Sequence, residues 1–261
     1  MIVHVLILCG VIGAAAALAV VVHGRRTPDA DAAPEYGSAL SFVGAAYGLL
    51  LGLLVVFAVG HLNDVRTESQ QEASSLVSLW DTVAVYPPQT RDHVRHDLVC
   101  YMRSIVHDEW PSMERGTQLE VPRTLGFGDA LRADVRNLPA RGPAQGSAYG
   151  RAATLTIDAG GSRQRLLFLT EPRIPTALWV VIYVGAFLVF FLLAVHYAPR
   201  PPGRVLVLAS AGVLMIVVVG VLAMLDQPFG VGVRVRPDQM RQAVSLVLVG
   251  ETNPAVLQPC A

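Results

Sequence analysis

Four stretches free of Asp, Glu, Lys and Arg constrain this chain more than anything else in it: residues 2–22, 39–60, 176–198 and 205–225. Each is 21 to 23 residues long. A bilayer core about 30 Å thick is crossed by roughly 20 helical residues rising about 1.5 Å each. One such run could be buried in a water-soluble domain of this size; four could not. Lipid offers backbone groups no hydrogen bonds, so the runs are expected to be helices, with charge displaced to the segments between them. The expected fold is an all-α membrane protein. Four transmembrane helices form two hairpins, with a helical soluble insert between spans 2 and 3. The boundaries follow: 1–60 first hairpin, 61–175 soluble insert, 176–225 second hairpin, 226–261 C-terminal tail.

The formal net charge is zero, which implies no general attraction to nucleic acid. All 20 basic residues are Arg. With abundant Ala, Gly, Val and Pro, that usage suggests a GC-rich bacterial source, and the four apolar runs then lead to the expectation of a multi-pass plasma-membrane location. Cys9, Cys100 and Cys260 are odd in number and match no metal spacing; they neither suggest a disulfide framework nor exclude a single bridge. The first run exceeds the usual signal-peptide core and has no basic residue before it. It reads as a retained helix. With an even number of spans, the insert and both termini share one side. Arg66, Arg163, Arg165, Arg173, Arg234, Arg236 and Arg241 flank spans on that side, against Arg25, Arg26, Arg200 and Arg204 in the two short loops. The count favours a cytoplasmic insert and the density per loop residue the reverse. The cytoplasmic placement is the expectation.

The second span need not end at the membrane. No proline occurs between Ala39 and Tyr86, and apolar residues continue at helical spacing through Leu62, Val65, Ala73, Leu76, Trp80 and Val83. That pattern predicts one helix over 39–85, stopped by Pro87-Pro88. Further helices are predicted over 90–110, closed by Pro111, over 129–138, over 151–170, and over 238–249. Residues 139–150, rich in Gly, Pro, Ala and Ser, read as a flexible loop.

Several patterns resemble the bestrophin-like family of bacterial membrane proteins. They are QQEASSL at 70–76 with Glu72, Trp80, YMRSIVHDEWP at 101–111, SRQRLLFL at 162–169, IPTALWVVIYVGA at 174–186 and LDQPFG at 225–230. The resemblance covers 41–249. It implies two membrane hairpins around a cytoplasmic helical insert. More distantly it extends to bestrophins proper, pentameric anion channels that share this plan and a Pro-Phe-Gly after the last span, here Pro228, Phe229 and Gly230. Calcium-gated bestrophins have acidic residues after that motif. Here Val231, Gly232, Val233 and Arg234 follow. Calcium takes several oxygen ligands, so no calcium site is carried over.

Among the residues that could carry function, Gly44, Gly48, Gly52 and Gly60, with Val56 filling the gap, form one helical stripe. Such a stripe suits close helix packing or a pore wall, with Phe42 or Phe57 as a dewetting constriction. Arg66, Arg163, Arg165 and Arg173, repeated in a ring, would form an anion-attracting vestibule, although Asp64, Glu68 and Glu72 alternate with them. The family motifs suggest structural roles for Glu72, Trp80, Tyr101, Glu109, Trp110, Pro111, Pro228, Phe229 and Gly230. Glu109 is expected to pair with Arg163 or Arg165. His93, His96 and His107, with Asp92, Asp97 and Asp108, read as a mixed-charge helix surface rather than a metal site. No metal and no cofactor are expected. No ionisable residue is buried mid-span, which argues against a proton-driven transporter. Enzyme signatures are absent. The functional expectation is an oligomeric channel for small anions, with the lipid bilayer and further copies of the chain as partners. The alternative is a non-conducting scaffold or sensor whose insert binds a partner.

Overall fold

The computed structural model describes residues 2–24, 33–115, 121–170, 174–196, 201–226, 229 and 235–260. Among these there is no strand. The helices are α1 (Ile2–Gly24), α2 (Ala33–Thr82), α3 (Pro88–Ser104), α4 (Trp110–Arg115), α5 (Pro122–Arg136), α6 (Gly142–Phe168), α7 (Thr176–His196), α8 (Pro201–Leu225), α9 (Asp238–Leu248) and α10 (Pro254–Leu257). A short 3-10 turn, Val83–Val85, follows α2, and a π-turn, Ile105–Glu109, lies between α3 and α4. Four of the described helices are long and apolar enough to cross a membrane: Val3–Val21, Gly37–Val85, Thr176–His196 and Leu206–Leu225. The chain divides into two compact units, Met1–His61 with Pro172–Gln227, and Leu62–Glu171 with Pro228–Ala261.

The first unit is built by small residues on apolar helices. Leu8, Ala15 and Ala19 of α1 are buried, and α1 packs against α7 and α8. Ile182, Ala186, Phe190 and Ala194 give α7 a buried stripe at four-residue spacing. On α2 the buried positions are Tyr47, Leu51, Leu54 and Ala58. Tyr47 donates its hydroxyl to the Ile182 carbonyl at 2.8 Å, and its ring lies over Gly185, where an added methyl would overlap it. His4 Nδ1 lies 2.6 Å from the Tyr183 hydroxyl and stacks on Trp179 at 4.0 Å. The Ile174 N–H donates to Asp226 Oδ1 at 2.8 Å, tying the approach to α7 to the end of α8.

The second unit is an ordinary polar-surfaced helical bundle. The α2 helix, 50 residues long and so about 75 Å from end to end, contributes Val65, Ser69, Glu72, Ala73, Leu76, Leu79 and Trp80 as buried positions. Pro88 starts α3 at its first position, where a missing N–H costs nothing.

Three sequence expectations change here. The run over 90–110 does not stop at Pro111: α3 gives way to the π-turn, and α4 carries the chain through Pro111 to Arg115. The wider turn just before the proline accommodates the hydrogen bond that its ring removes. The helix expected over 129–138 starts at Pro122. Gly126 and Gly128 lower its propensity, but the small Gly128 lets the Tyr101 ring approach α5 closely. The loop expected over 139–150 is largely helix, because α6 begins at Gly142. Gly142 has φ +80°, a left-handed conformation that glycine adopts freely, and Pro143 follows at the start of the helix. Buried Ala152, Ala159, Ser162 and Leu166 then supply packing that offsets about 1 kcal/mol for each interior glycine.

Candidate functional site

Two groups of sequence-singled residues occupy distinct places. On α2, Phe42, Val56 and Phe57 are 76%, 68% and 67% exposed. Gly48 and Gly52 are exposed as well, while Gly44 and Gly60 are half-buried. A methyl group built on any of these four glycines would meet nothing within 4 Å. Among the described residues, then, no neighbour is packed closely against the stripe's glycines. Tyr47, Leu51, Leu54 and Ala58 pack inward from other positions on the helix. An apolar face left over in this way suits lipid, another protein surface or the wall of a pore.

In the second unit Glu72 of α2, Tyr101 of α3, Glu109 of the π-turn and Arg163 of α6 converge, all buried. Arg163 Nη2 pairs with Glu109 Oε1, and Nη1 lies 3.7 Å from Glu72 Oε2. Tyr101 donates its hydroxyl to Glu72 Oε1 at 3.0 Å. Of the two arginines offered to Glu109, the structure selects Arg163. That removes Arg163 from the exposed vestibule set, because its charge is engaged by two carboxylates inside the bundle. Arg165, two residues on, is exposed; its Nε donates to Glu68 Oε1 at 2.8 Å and its Nη2 to Ser162 Oγ at 3.0 Å. Arg66 is exposed. Arg173, Pro228 and Gly230 lie outside the described residues.

The charges in the cluster do not balance if both glutamates ionise. Burial raises the pKa of Glu72, a shift that Arg163 and the Tyr101 hydroxyl oppose but do not overcome. Burial also raises the pKa of Tyr101, so its hydroxyl remains a donor. Burial thus pushes Glu72 toward its neutral form, the direction in which a low-dielectric interior eases an excess of negative charge. A polar cavity of about 220 Å³ adjoins the cluster, lined among others by Tyr101, Glu109, Thr124, Arg132, Arg163 and Gln164.

The Trp110 indole N–H donates to the Val235 carbonyl at 3.0 Å, and its ring meets Phe229 edge-on at 5.5 Å. The glutamate-tryptophan pair thus holds the buried arginine with one residue and the chain after α8 with the next. Pro111 is half-buried beside them. Trp80 carries the Arg95 guanidinium over its ring at 4.2 Å. Cys100 and Cys260 form a disulfide, which the sequence left open; 160 residues of separation conceal it. The same end of the chain is held by Asn253, which donates to Asp92 Oδ2 at 2.6 Å, and by the Cys260 carbonyl, which accepts from Arg123 at 2.9 Å.

A family model for the bestrophin-like domain matches residues 4–240. The chain belongs to the bestrophin-like family. Two crystal structures of a bacterial bestrophin homologue from Klebsiella pneumoniae, each with a single substitution, are similar to this bestrophin-like chain. One superposes with a TM-score of 0.67 at 13% identity over 94% of this chain and 99% of the other. The second gives 0.66 at 14% identity over 95% and 97%. A crystal structure of a membrane protein gives 0.63 at 13% identity over 94% and 97%. At such identities the likeness speaks for the fold. No curated protein matches the sequence.

The cluster makes a stability prediction. Replacing Arg163 by Met leaves two buried acids without a counter-charge and is expected to cost about 3–5 kcal/mol. Glu72→Gln keeps an acceptor for Tyr101 and is expected to change stability at pH 7 by less than about 1 kcal/mol. The folded pKa of Glu72 is raised above its ordinary 4.5. Its contribution is therefore complete below pH 4.5 and is lost as pH rises through the raised value. Wild type should gain on Glu72→Gln as pH falls from neutral, a trend that unfolding in detergent at several pH values would measure. A trend of the opposite sign would refute the assignment.

Proposed function

We propose that this protein is an oligomeric, bestrophin-like channel for small anions. Two membrane hairpins flank a helical insert, and α2 lies nearest the oligomer axis. The observation that supports this reading is the outward stripe of α2. Among the described residues nothing lies within 4 Å of a methyl built on its glycines, and Phe42, Val56 and Phe57 are largely exposed. Family membership supplies the context. Small residues would let copies approach, and the aromatic rings would form an apolar constriction that controls wetting. Arg66, Arg165 and Arg173 are the vestibule residues in this proposal. The glutamates beside them moderate the field that would gather anions.

The test is chloride efflux from liposomes carrying the purified full-length protein. Efflux well above that of empty vesicles, slowed by Arg66→Glu and altered by Phe57→Ala, is expected. Efflux equal to that of empty vesicles across voltage and pH would remove the channel and favour a non-conducting scaffold.

The insert and both termini are proposed to be cytoplasmic, supported by the arginine count flanking the spans. That placement has a chemical consequence. Cytosolic thiols are kept reduced, whereas disulfides persist in oxidising compartments. Cys100 and Cys260 should therefore be thiols in the cell and close into their bond on oxidation. Alkylation of intact cells before lysis, followed by mass analysis, should label both. A pair protected from alkylation until reductant is added would place the insert on the outer side.

A further inference from the structure

We propose that His93, Asp97 and Asp134 form a binding site for a divalent transition cation, with Zn²⁺ as the best fit, bracing α3 against α5. His93 and Asp97 are four residues apart on α3, so their side chains leave the same face of the helix. Asp134 reaches that face from α5, which packs along α3. One ligand atom from each of the three lies within 4.8 Å of the others.

The spacing is the informative part. His93 Nε2 and Asp134 Oδ2 are 3.4 Å apart. A charge-assisted hydrogen bond between them would close to about 2.7–2.9 Å. Two ligands on one tetrahedral Zn²⁺, each about 2.0–2.1 Å from it, stand roughly 3.4 Å apart. Asp134 Oδ2 is also shielded from solvent, and it faces His93 only through this loose contact. Two carboxyl groups pressed together beside an imidazole are what a cation would neutralise.

The donor set narrows the choice of ion. An imidazole with two carboxylates suits Zn²⁺, Co²⁺ or Mn²⁺, whereas Mg²⁺ holds oxygen ligands and its own water. The His93 side chain is 65% exposed and that of Asp134 19%. The site is thus open on one side, leaving a fourth position for water. His96, the other histidine on this stretch of α3, does not join it. Its ring nitrogens lie 3.6 Å from Cys100 Sγ and 3.4 Å from the Val256 carbonyl. Spacing along one helix pairs the two histidines; the neighbouring helix selects His93 alone.

The experiment uses full-length protein in detergent, stripped with chelator and titrated with Zn²⁺ and, separately, Co²⁺. About one Zn²⁺ per chain should remain after desalting, with a visible Co²⁺ band that Zn²⁺ displaces and a millimolar excess of Mg²⁺ does not. Asp134→Asn and His93→Ala should each weaken Zn²⁺ affinity at least tenfold and abolish the Zn²⁺-dependent rise in Tm. His107→Ala should behave as wild type. His93 is exposed, so its variant folds independently of the buried core and serves where Asp134→Asn does not fold. No retained metal in wild type, or equal retention in wild type and His93→Ala, would overturn the site.

Discussion

The side of α2 that faces inward conditions everything else in the chain. Along the first half the buried positions are Tyr47, Leu51, Leu54 and Ala58; along the second they include Ser69, Glu72 and Ser75. Three- and four-residue steps keep each set on a helical seam within its own unit. The chemistry changes where the apolar run ends. In the first unit the seam is closed by dispersion contacts and by a tyrosine hydroxyl on a carbonyl. Such a bond is worth keeping where no water competes for it. In the second unit the seam carries an acid into the bundle. The outward face is what remains: glycine and large apolar groups up to Gly60, then Asp64, Arg66 and Glu68.

An acid buried in this way needs compensation, and the geometry shows how it is provided. Arg163 serves two carboxylates, and Tyr101 donates to the one that burial pushes toward protonation. The cluster draws on α2, α3, the π-turn and α6, so it fixes their mutual registers at one point. Such a pair is costly to break and of modest net value when intact, which makes it a device for specificity more than for stability. The π-turn has a related purpose. By absorbing an extra residue before Pro111, it lets Glu109 face the arginine while Trp110 faces Val235 and Phe229.

Much of this was legible in the sequence, for physical reasons. Lipid imposes uncharged runs of a set length, so four spans could be read directly. The long α2 was visible because no proline interrupts it before Pro87. The motif residues Glu72, Tyr101, Glu109 and Trp110 could be picked out, and the partner of Glu109 narrowed to Arg163 or Arg165, but not the partners of the others. Arg163 and Arg165 sit on the same helix two residues apart, and only the bundle decides which turns inward. The start of α6 was hidden by glycines whose low propensity is outweighed by packing. The Cys100–Cys260 bond and the approach of Asp134 to His93 and Asp97 join residues distant in sequence, which no local pattern reveals.

A channel lined by α2, as proposed, requires its spare face to border water in the assembled protein. Single cysteines placed in turn from Phe42 to Gly60, in a Cys-less background within native membranes, can be challenged with a charged, membrane-impermeant thiol reagent. Reaction should recur every three to four residues, strongest around Gly48, Gly52 and Val56, and be weak at Leu51, Leu54 and Ala58. Uniform protection of the whole segment, or reaction confined to its ends, would show that this face is covered by lipid or protein and that α2 does not line a pore.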